Sequence, residues 1–397
     1  ALEALLLGAS LESDPGQPLA GSALHTLETW TKRIDPSYAM LAAEVQSGGA
    51  EPTGPLGVRM YPRSDYMIQR TPEWFLSLKM LSDRTLAAER YNDEGKQSRH
   101  LSSGVTWLMK DGGEWDRNGV RPSLDWSRLP GTTTEIGLDL SKGYPNGSCY
   151  GRRSFVGGLD DGDAGVAAMD WLAREHQGDS DLSAQKSWFF WRGGVVAVGS
   201  GITSNSGLPV ETTVMQWPLS SAAAEVAVDG TAMHLDEGSK TVDGPAVVEA
   251  DGVGYWIPAE ERVRLSRVRQ SGRFREITRS GDMLHTNLFL NLGFEHGVSP
   301  NREDYAYAVL PAWSGGTGAP GFEILARDQA VHAVRFPEED RTSAVFWERG
   351  QAGYLAANQR LIVSASQPGP GQVRLNASGG DPRARFVELL IAGTVNP

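Results

Sequence analysis

The stretch SWFFWRGGVVAVGSGI, residues 187–202, sets two apolar runs on either side of an Arg-Gly-Gly break. Each run is too short for a buried helix and is rich in aromatic and β-branched residues, so the pair reads as a hairpin turning at Gly193-Gly194. The same grammar recurs from residue 56 onward: short Val-, Ile-, Phe- and Trp-rich runs punctuated by Gly, Asn, Asp and Ser. A second hairpin is expected in VRLSRVRQSGRFREITR, turning near Ser271-Gly272. Strands follow one another without intervening helical patterns, which favours large antiparallel sheets packed as sandwiches over βαβ units.

A chain of 397 residues with 47 Gly and 12 Trp is globular and long enough for two or three domains. No stretch approaches the roughly 20 apolar residues of a membrane helix, so no membrane partner is expected. The net charge of −12 argues against a broad nucleic-acid surface. Cys149 is the single cysteine, which excludes an internal disulfide and a cysteine-based metal site. That suits the cytosol or a bacterial secreted protein equally.

Residues 1–47 differ from the rest. Leu2, Leu5 and Leu6, then Leu24, Leu27 and Trp30, then Tyr38 and Leu41 recur at helical spacing. The opening ALEALLLGA lacks the basic start and cleavage pattern of a signal peptide and reads as an amphipathic helix entered partway, as in a piece of a longer chain. SGGAEPTGP (47–55) is a linker, and PAWSGGTGAPG (311–321) a softer boundary. The expected domains are 1–50, 51–314 and 315–397.

Walker, G-x-S-x-G and H-E-x-x-H motifs are absent. His285, Glu295 and His296 fit no common zinc spacing and read as structural or surface residues. Asp161 and Asp163 hint at a calcium loop that lacks its bidentate glutamate. No metal or other cofactor is expected. Residues 262–279 hold seven arginines, many alternating with apolar residues; a solvated outer sheet face is favoured over a polyanion-binding strip. In AAERYNDEGKQSRH (87–100), acids and amides crowd beside Arg84, Arg90 and Arg99. The cluster is either a turn around Asn92-Asp93 or one wall of a site for a charged, hydroxyl-rich ligand, its loop supported by strand-like flanks.

Five segments in order resemble polysaccharide lyase family 8, the hyaluronate, chondroitin AC and xanthan lyases. They are YPRSDYMIQRTPEWFLSLKMLSDRTLAAERYNDEG (61–95), DWSRLPGTTTE (125–135), FVGGLDDGDAGVAAMD (155–170), KSWFFWRGGVVAVGSGI with the later ETTV (186–214), and FLNLGFEHGVSPNREDYAYAVLP (289–311). The resemblance implies a mainly β chain: a large antiparallel β super-sandwich, then a small β-sandwich, with residues 1–50 as the last helices of an N-terminal α/α toroid. It implies a secreted bacterial enzyme that cleaves a uronic-acid-containing polysaccharide by β-elimination, with an anionic polysaccharide as substrate and the toroid as partner. The proton-transfer residues of the family lie on the toroid, upstream of this chain. Carried over residue by residue, Glu89 matches the family's orienting glutamate, Asn92 its substrate-touching asparagine, and Arg84 and Glu94 the same motif. The sequence departs from the family at Gly95, where Asn is usual, and at Ser103, where Asp is common. The alternative reading is a non-catalytic carbohydrate-binding or structural β-sandwich module, with Trp107, Trp115 and Trp126 gripping sugar.

Overall fold

The computed structural model describes residues 56–88, 90–140, 150–173, 180–219, 221, 224–315, 321–369, 372–379 and 389–391. The expected terminal helices of 1–50, Glu89 and Cys149 lie outside the described residues. Among the described residues, no helix is long and apolar enough to cross a membrane. The strands form antiparallel sheets. A four-stranded meander comes first: Gly57–Tyr61, Tyr66–Arg70, Phe75–Lys79 and Val105–Met109. A five-stranded sheet has the order Gly238–Asp243, Arg262–Arg273, Leu284–Val298, Pro209–Pro218 and Thr133–Glu135. A nine-stranded sheet, running from Thr231–Met233 at one edge to Val156–Asp161 at the other, is the largest among the described residues.

The nine-stranded sheet explains why 187–202 reads as unbroken apolar runs rather than alternating ones. It is covered on both faces, and a strand buried on both faces has no solvent side to mark with polar residues. Trp188, Phe190, Val195, Ala197, Tyr305 and Tyr307 face the five-stranded sheet, meeting Val210, Leu265, Leu290 and Phe294 in one core. The residues between them, Phe189, Trp191, Val196, Val198, Ala306 and Ala308, face the opposite way and meet Val334, Phe336, Val345 and Trp347 in a second core. Those partners belong to a C-terminal five-stranded sheet, from Glu323–Arg327 to Gln372–Ser378. Its far face closes a third core on Ala352, Leu355 and Ala357. Period-2 alternation is thus obeyed throughout, with an apolar residue on each side.

The two expected hairpins exist, with different turns. Trp191 pairs with Gly194, so the first turn is Arg192-Gly193, one residue earlier than expected. Ser271 and Gly272 are not a turn at all: they pair with Thr286 and His285 inside the Arg262–Arg273 and Leu284–Val298 ladder. The glycine is there because the Pro122 carbonyl crosses the strand, and a Cβ on Gly272 would stand 1.8 Å from that oxygen. The real turn is 274–283, which contains the single helical turn Phe274–Ile277.

Gly104 joins the meander to the central core. It has φ +87°, and an added Cβ would meet Trp188 at 2.8 Å and the Lys186 Nζ at 3.2 Å. Gly104→Ala is therefore expected to lower stability by about 2–4 kcal/mol, combining left-handed backbone strain with overpacking. A urea midpoint within error of the parent would show that the core yields at no cost.

Candidate functional site

The segment between Phe75–Lys79 and Val105–Met109 carries the ERYNDEG motif, and both flanking strands are paired to one another. Three sets of contacts make this long connection rigid. At its start, the side chain of Asp65, fully buried, accepts hydrogen bonds from the Ser82 N–H at 3.1 Å, the Thr85 hydroxyl at 2.6 Å and the Ser82 hydroxyl. The Arg84 guanidinium closes the same cluster, donating to Asp65 at 2.6 Å and to the Val156 carbonyl at 2.9 Å. In its middle, the Ser102 hydroxyl donates to the Ala87 carbonyl at 2.7 Å, and Leu86 bridges to Tyr150.

At its tip, the Glu94 N–H donates to the Tyr91 carbonyl at 2.8 Å, closing a turn whose central residues Asn92 and Asp93 have φ +50° and +64°. That is a type I′ geometry, which Asn and Asp tolerate better than other side-chain-bearing residues. The turn is pinned to the 274–283 connection. The Lys96 ammonium donates to the Arg275 carbonyl at 3.0 Å, the Lys96 N–H to the Ile277 carbonyl, and Arg279 pairs with Glu94 at 3.2 Å.

Each expected site residue therefore has a distinct position. Asn92 is exposed on a fixed turn and free to meet a ligand. Glu94 is exposed and paired to Arg279. Arg84 is half-exposed, but its guanidinium is committed to Asp65 and to backbone carbonyls, so it anchors the loop rather than reaching outward. Glu89 lies outside the described residues, two positions from the backbone that Ser102 holds. The turn and the supported-wall readings of this cluster are compatible: the turn is what fixes the wall.

Sequence reasoning missed three participants. Asp65 sits nineteen residues before Arg84, and nothing local marks it as the hub of the loop. Tyr91 is 47% exposed beside Asn92, an amphipathic side chain of the kind that packs on sugar rings. His100 is buried, with its pKa pushed down to about 3 by burial, by the neighbouring Arg99 charge, and against the pull of Asp125. Its Nε2 has no hydrogen-bond partner. The only sequence hint was the run of polar residues between two strands.

Other candidates resolve differently. Trp115 is buried and packs edge-on against Trp107 at 4.6 Å and Trp217 at 5.8 Å, while Trp107 and Trp126 lean on the main core. Trp115 is thus a core residue with no face for a sugar, while Trp107 and Trp126 keep part of their surface open. Asp161 pairs with Arg341 at 3.1 Å and Asp163 with Arg192 at 3.2 Å, so neither carboxylate is held for calcium. His285 and His296 stand at opposite ends of the strand Leu284–Val298. His296 is pushed down to about 4 by burial and by Lys186, and bonds the Thr212 hydroxyl at 2.8 Å. The arginine tract is only partly a solvated face. Arg262 pairs with Asp243, Arg264 with Glu211 and Glu295, and Arg269 with Glu237, while Arg267 is buried and donates to the Leu235 carbonyl.

Comparison with known proteins places this arrangement. The chain is 29% identical over 305 residues to the chondroitinase-AC of Pedobacter heparinus, covering 72% of this chain and 40% of that protein. It is 30% identical over 322 residues to the hyaluronate lyase of Thermasporomyces composti, covering 78% of this chain and 40% of that protein. The solved structure of a Paenibacillus xanthan lyase shares the fold, with a TM-score of 0.82 and 24% identity over 92% of this chain and 37% of that one. The chain spans about two fifths or less of the length of the curated relatives it matches. The family model described as polysaccharide lyase family 8, super-sandwich domain, matches residues 56–317, and the one described as its C-terminal beta-sandwich domain matches 323–378. With its central sheets and its C-terminal sheets each matched by a domain of the same family, the chain belongs to polysaccharide lyase family 8.

Proposed function

We propose that this chain is the β portion of a secreted polysaccharide lyase that cleaves a uronic-acid-containing polysaccharide by β-elimination, and that it supplies one wall of the cleft. The observation that carries the proposal is the rigid 80–104 connection. Its tip offers Asn92 and Tyr91 from a type I′ turn that Glu94 and Lys96 pin to the 274–283 connection. β-Elimination requires the substrate carboxylate to be neutralised so that the C5 proton becomes acidic, a base to remove that proton, and an acid to protonate the departing glycosidic oxygen. In this reading those transfers take place on an N-terminal α/α toroid. Glu89 orients the cationic groups that meet the substrate carboxylate, and Asn92 hydrogen-bonds the sugar from the opposite wall.

The test is ultraviolet absorbance of the unsaturated uronate product from hyaluronan, chondroitin sulfate and xanthan in turn. The chain would be assayed alone and with the toroid of the same protein. Product is expected only in the mixture. Glu89→Ala should lower kcat/KM by about 100-fold and Asn92→Ala by about tenfold, the scale expected for lost orientation and one lost substrate contact. Product from the chain alone, or wild-type rates in both variants, would refute the placement of the cleft.

A further inference from the structure

The helical turn Phe274–Ile277 stands at the tip of the hairpin made by Arg262–Arg273 and Leu284–Val298, whose pairing runs unbroken from Arg264 opposite Gly293 to Arg273 opposite Leu284. The tip is closed on itself: the Arg275 N–H donates to the Gly281 carbonyl at 3.0 Å, and the Arg275 guanidinium pairs with Asp282 at 2.7 Å. So short a turn leaves most of its carbonyls without an internal partner. The Thr278 N–H donates to the Phe274 carbonyl at 2.7 Å, and the carbonyls of Arg275, Glu276 and Ile277 remain. All three are met from the cleft loop. The Lys96 ammonium donates to the Arg275 carbonyl at 3.0 Å, the Gln97 amide to the Glu276 carbonyl at 3.4 Å, and the Lys96 N–H to the Ile277 carbonyl at 3.2 Å.

We infer that Lys96, helped by Gln97, is a positioning residue for the cleft: by capping the helical turn it sets where Asn92 stands. The inference rests on the proposed function, which puts Asn92 against the sugar. Among the described residues, every hydrogen bond or ion pair by which residues 91–97 reach beyond Ser98 goes to 275–279. The tip of the wall is therefore tied to the hairpin of the five-stranded sheet, although the strands that carry it belong to the meander. The Glu94–Arg279 pair contributes little, since both side chains are largely in water. The weight falls on Lys96, which supplies two of the three caps, one of them charge-assisted. Asn92 lies four residues before it, across the type I′ turn, so a shift of Lys96 is passed to Asn92 through a closed loop. A substrate hydrogen bond is sensitive to such a shift, because a displacement of about 1 Å takes it out of range.

The lyase assay of the chain with its toroid tests this, together with hydrogen exchange of the chain. Lys96→Met removes the ammonium and keeps the N–H that meets Ile277. It should lower kcat/KM by about fivefold to tenfold and quicken exchange at 91–97, while 82–88 keep the parent rate. Lys96→Arg, which can still donate to the Arg275 carbonyl, should recover most of the loss, and Gln97→Ala should cost about threefold. The decisive arm combines Lys96→Met with Asn92→Ala. A residue that acts through Asn92 adds nothing once Asn92 is gone, so the double variant should match Asn92→Ala within about twofold, whereas a merely structural residue would multiply the two losses. A multiplied loss, parent rates in Lys96→Met, or unchanged exchange at 91–97 would overturn the inference. Parent rates in Asn92→Ala would refute the proposed role of Asn92 and this one with it. Exchange needs no substrate and still shows whether the cap orders the loop, so the two failures are told apart.

Discussion

Stability of the chain is expected to fall steeply as the pH drops below about 6.5. His100 and His332 are pushed down to about 3 and His296 to about 4, in each case chiefly by burial. Unfolded histidine takes up its proton near 6.5, whereas these folded ones resist until pH 3–4. Above 6.5 neither state binds the proton and the groups are neutral to stability. Below it the unfolded state alone gains protons, so stability is lost as pH falls toward the folded values. At pH 5 each residue withdraws about 2 kcal/mol, a large share of the 5–15 kcal/mol typical of a whole domain.

His332 is the sharpest case. Its ring bonds the Ser187 hydroxyl at 2.7 Å and the Ser200 hydroxyl at 2.8 Å, and packs edge-on against Trp347 at 5.5 Å. It therefore lies between the central nine-stranded sheet and the C-terminal one, and a proton placed there opens the second core. Urea midpoints at pH 7.5 and 5.0 check the prediction. The midpoint should fall markedly, and His332→Gln should recover about a third of the loss while lowering stability at pH 7.5. A midpoint unchanged between the two pH values would contradict it. On the alkaline side the sign is the same. Lys186, buried and pushed down to about 7, releases its proton in the folded state while the unfolded chain keeps it to 10.5, so stability rises with pH across that interval.

Asp65→Asn is expected to cost about 2–4 kcal/mol and to loosen the 80–104 connection. The substitution keeps the size of the side chain and its tolerance of φ +47°, so only the acceptor chemistry changes. The carboxylate now accepts from the Ser82 N–H, the Ser82 and Thr85 hydroxyls and the Arg84 guanidinium, all at a fully buried site. An amide brings a donor into this ring of donors, and a buried donor without an acceptor carries most of its desolvation cost. Arg84 is half-exposed and can turn to water, which keeps the penalty below that of a fully buried ion pair. Hydrogen exchange should quicken at residues 82–88, and with the toroid present kcat should drop while the pH profile stays in place, because Asp65 positions the loop and does not touch substrate. Unchanged exchange at 82–88 would mean that the 274–283 clasp alone orders the loop.

Much of this molecule was legible in its residues. Aromatic and β-branched runs broken by glycine identify strands, because side-chain period and turn chemistry are local properties of a chain. The order of the five segments likewise identified the family, and the polar insert at 87–100 marked where a site could be. The pairings were not legible. Arg84 appears from its neighbours to be available for a ligand, and only the fold brings Asp65 to it. Gly272 has the signature of a turn until Pro122 is seen crossing it. Trp115, offered as a sugar platform, is a core residue, since burial depends on which sheet arrives above it. The sequence by itself determined the strands, their apolar faces and the family. The tertiary structure alone decided which charges neutralise each other and which stand at an open face, because a partner dozens of residues away leaves no local trace in the chain.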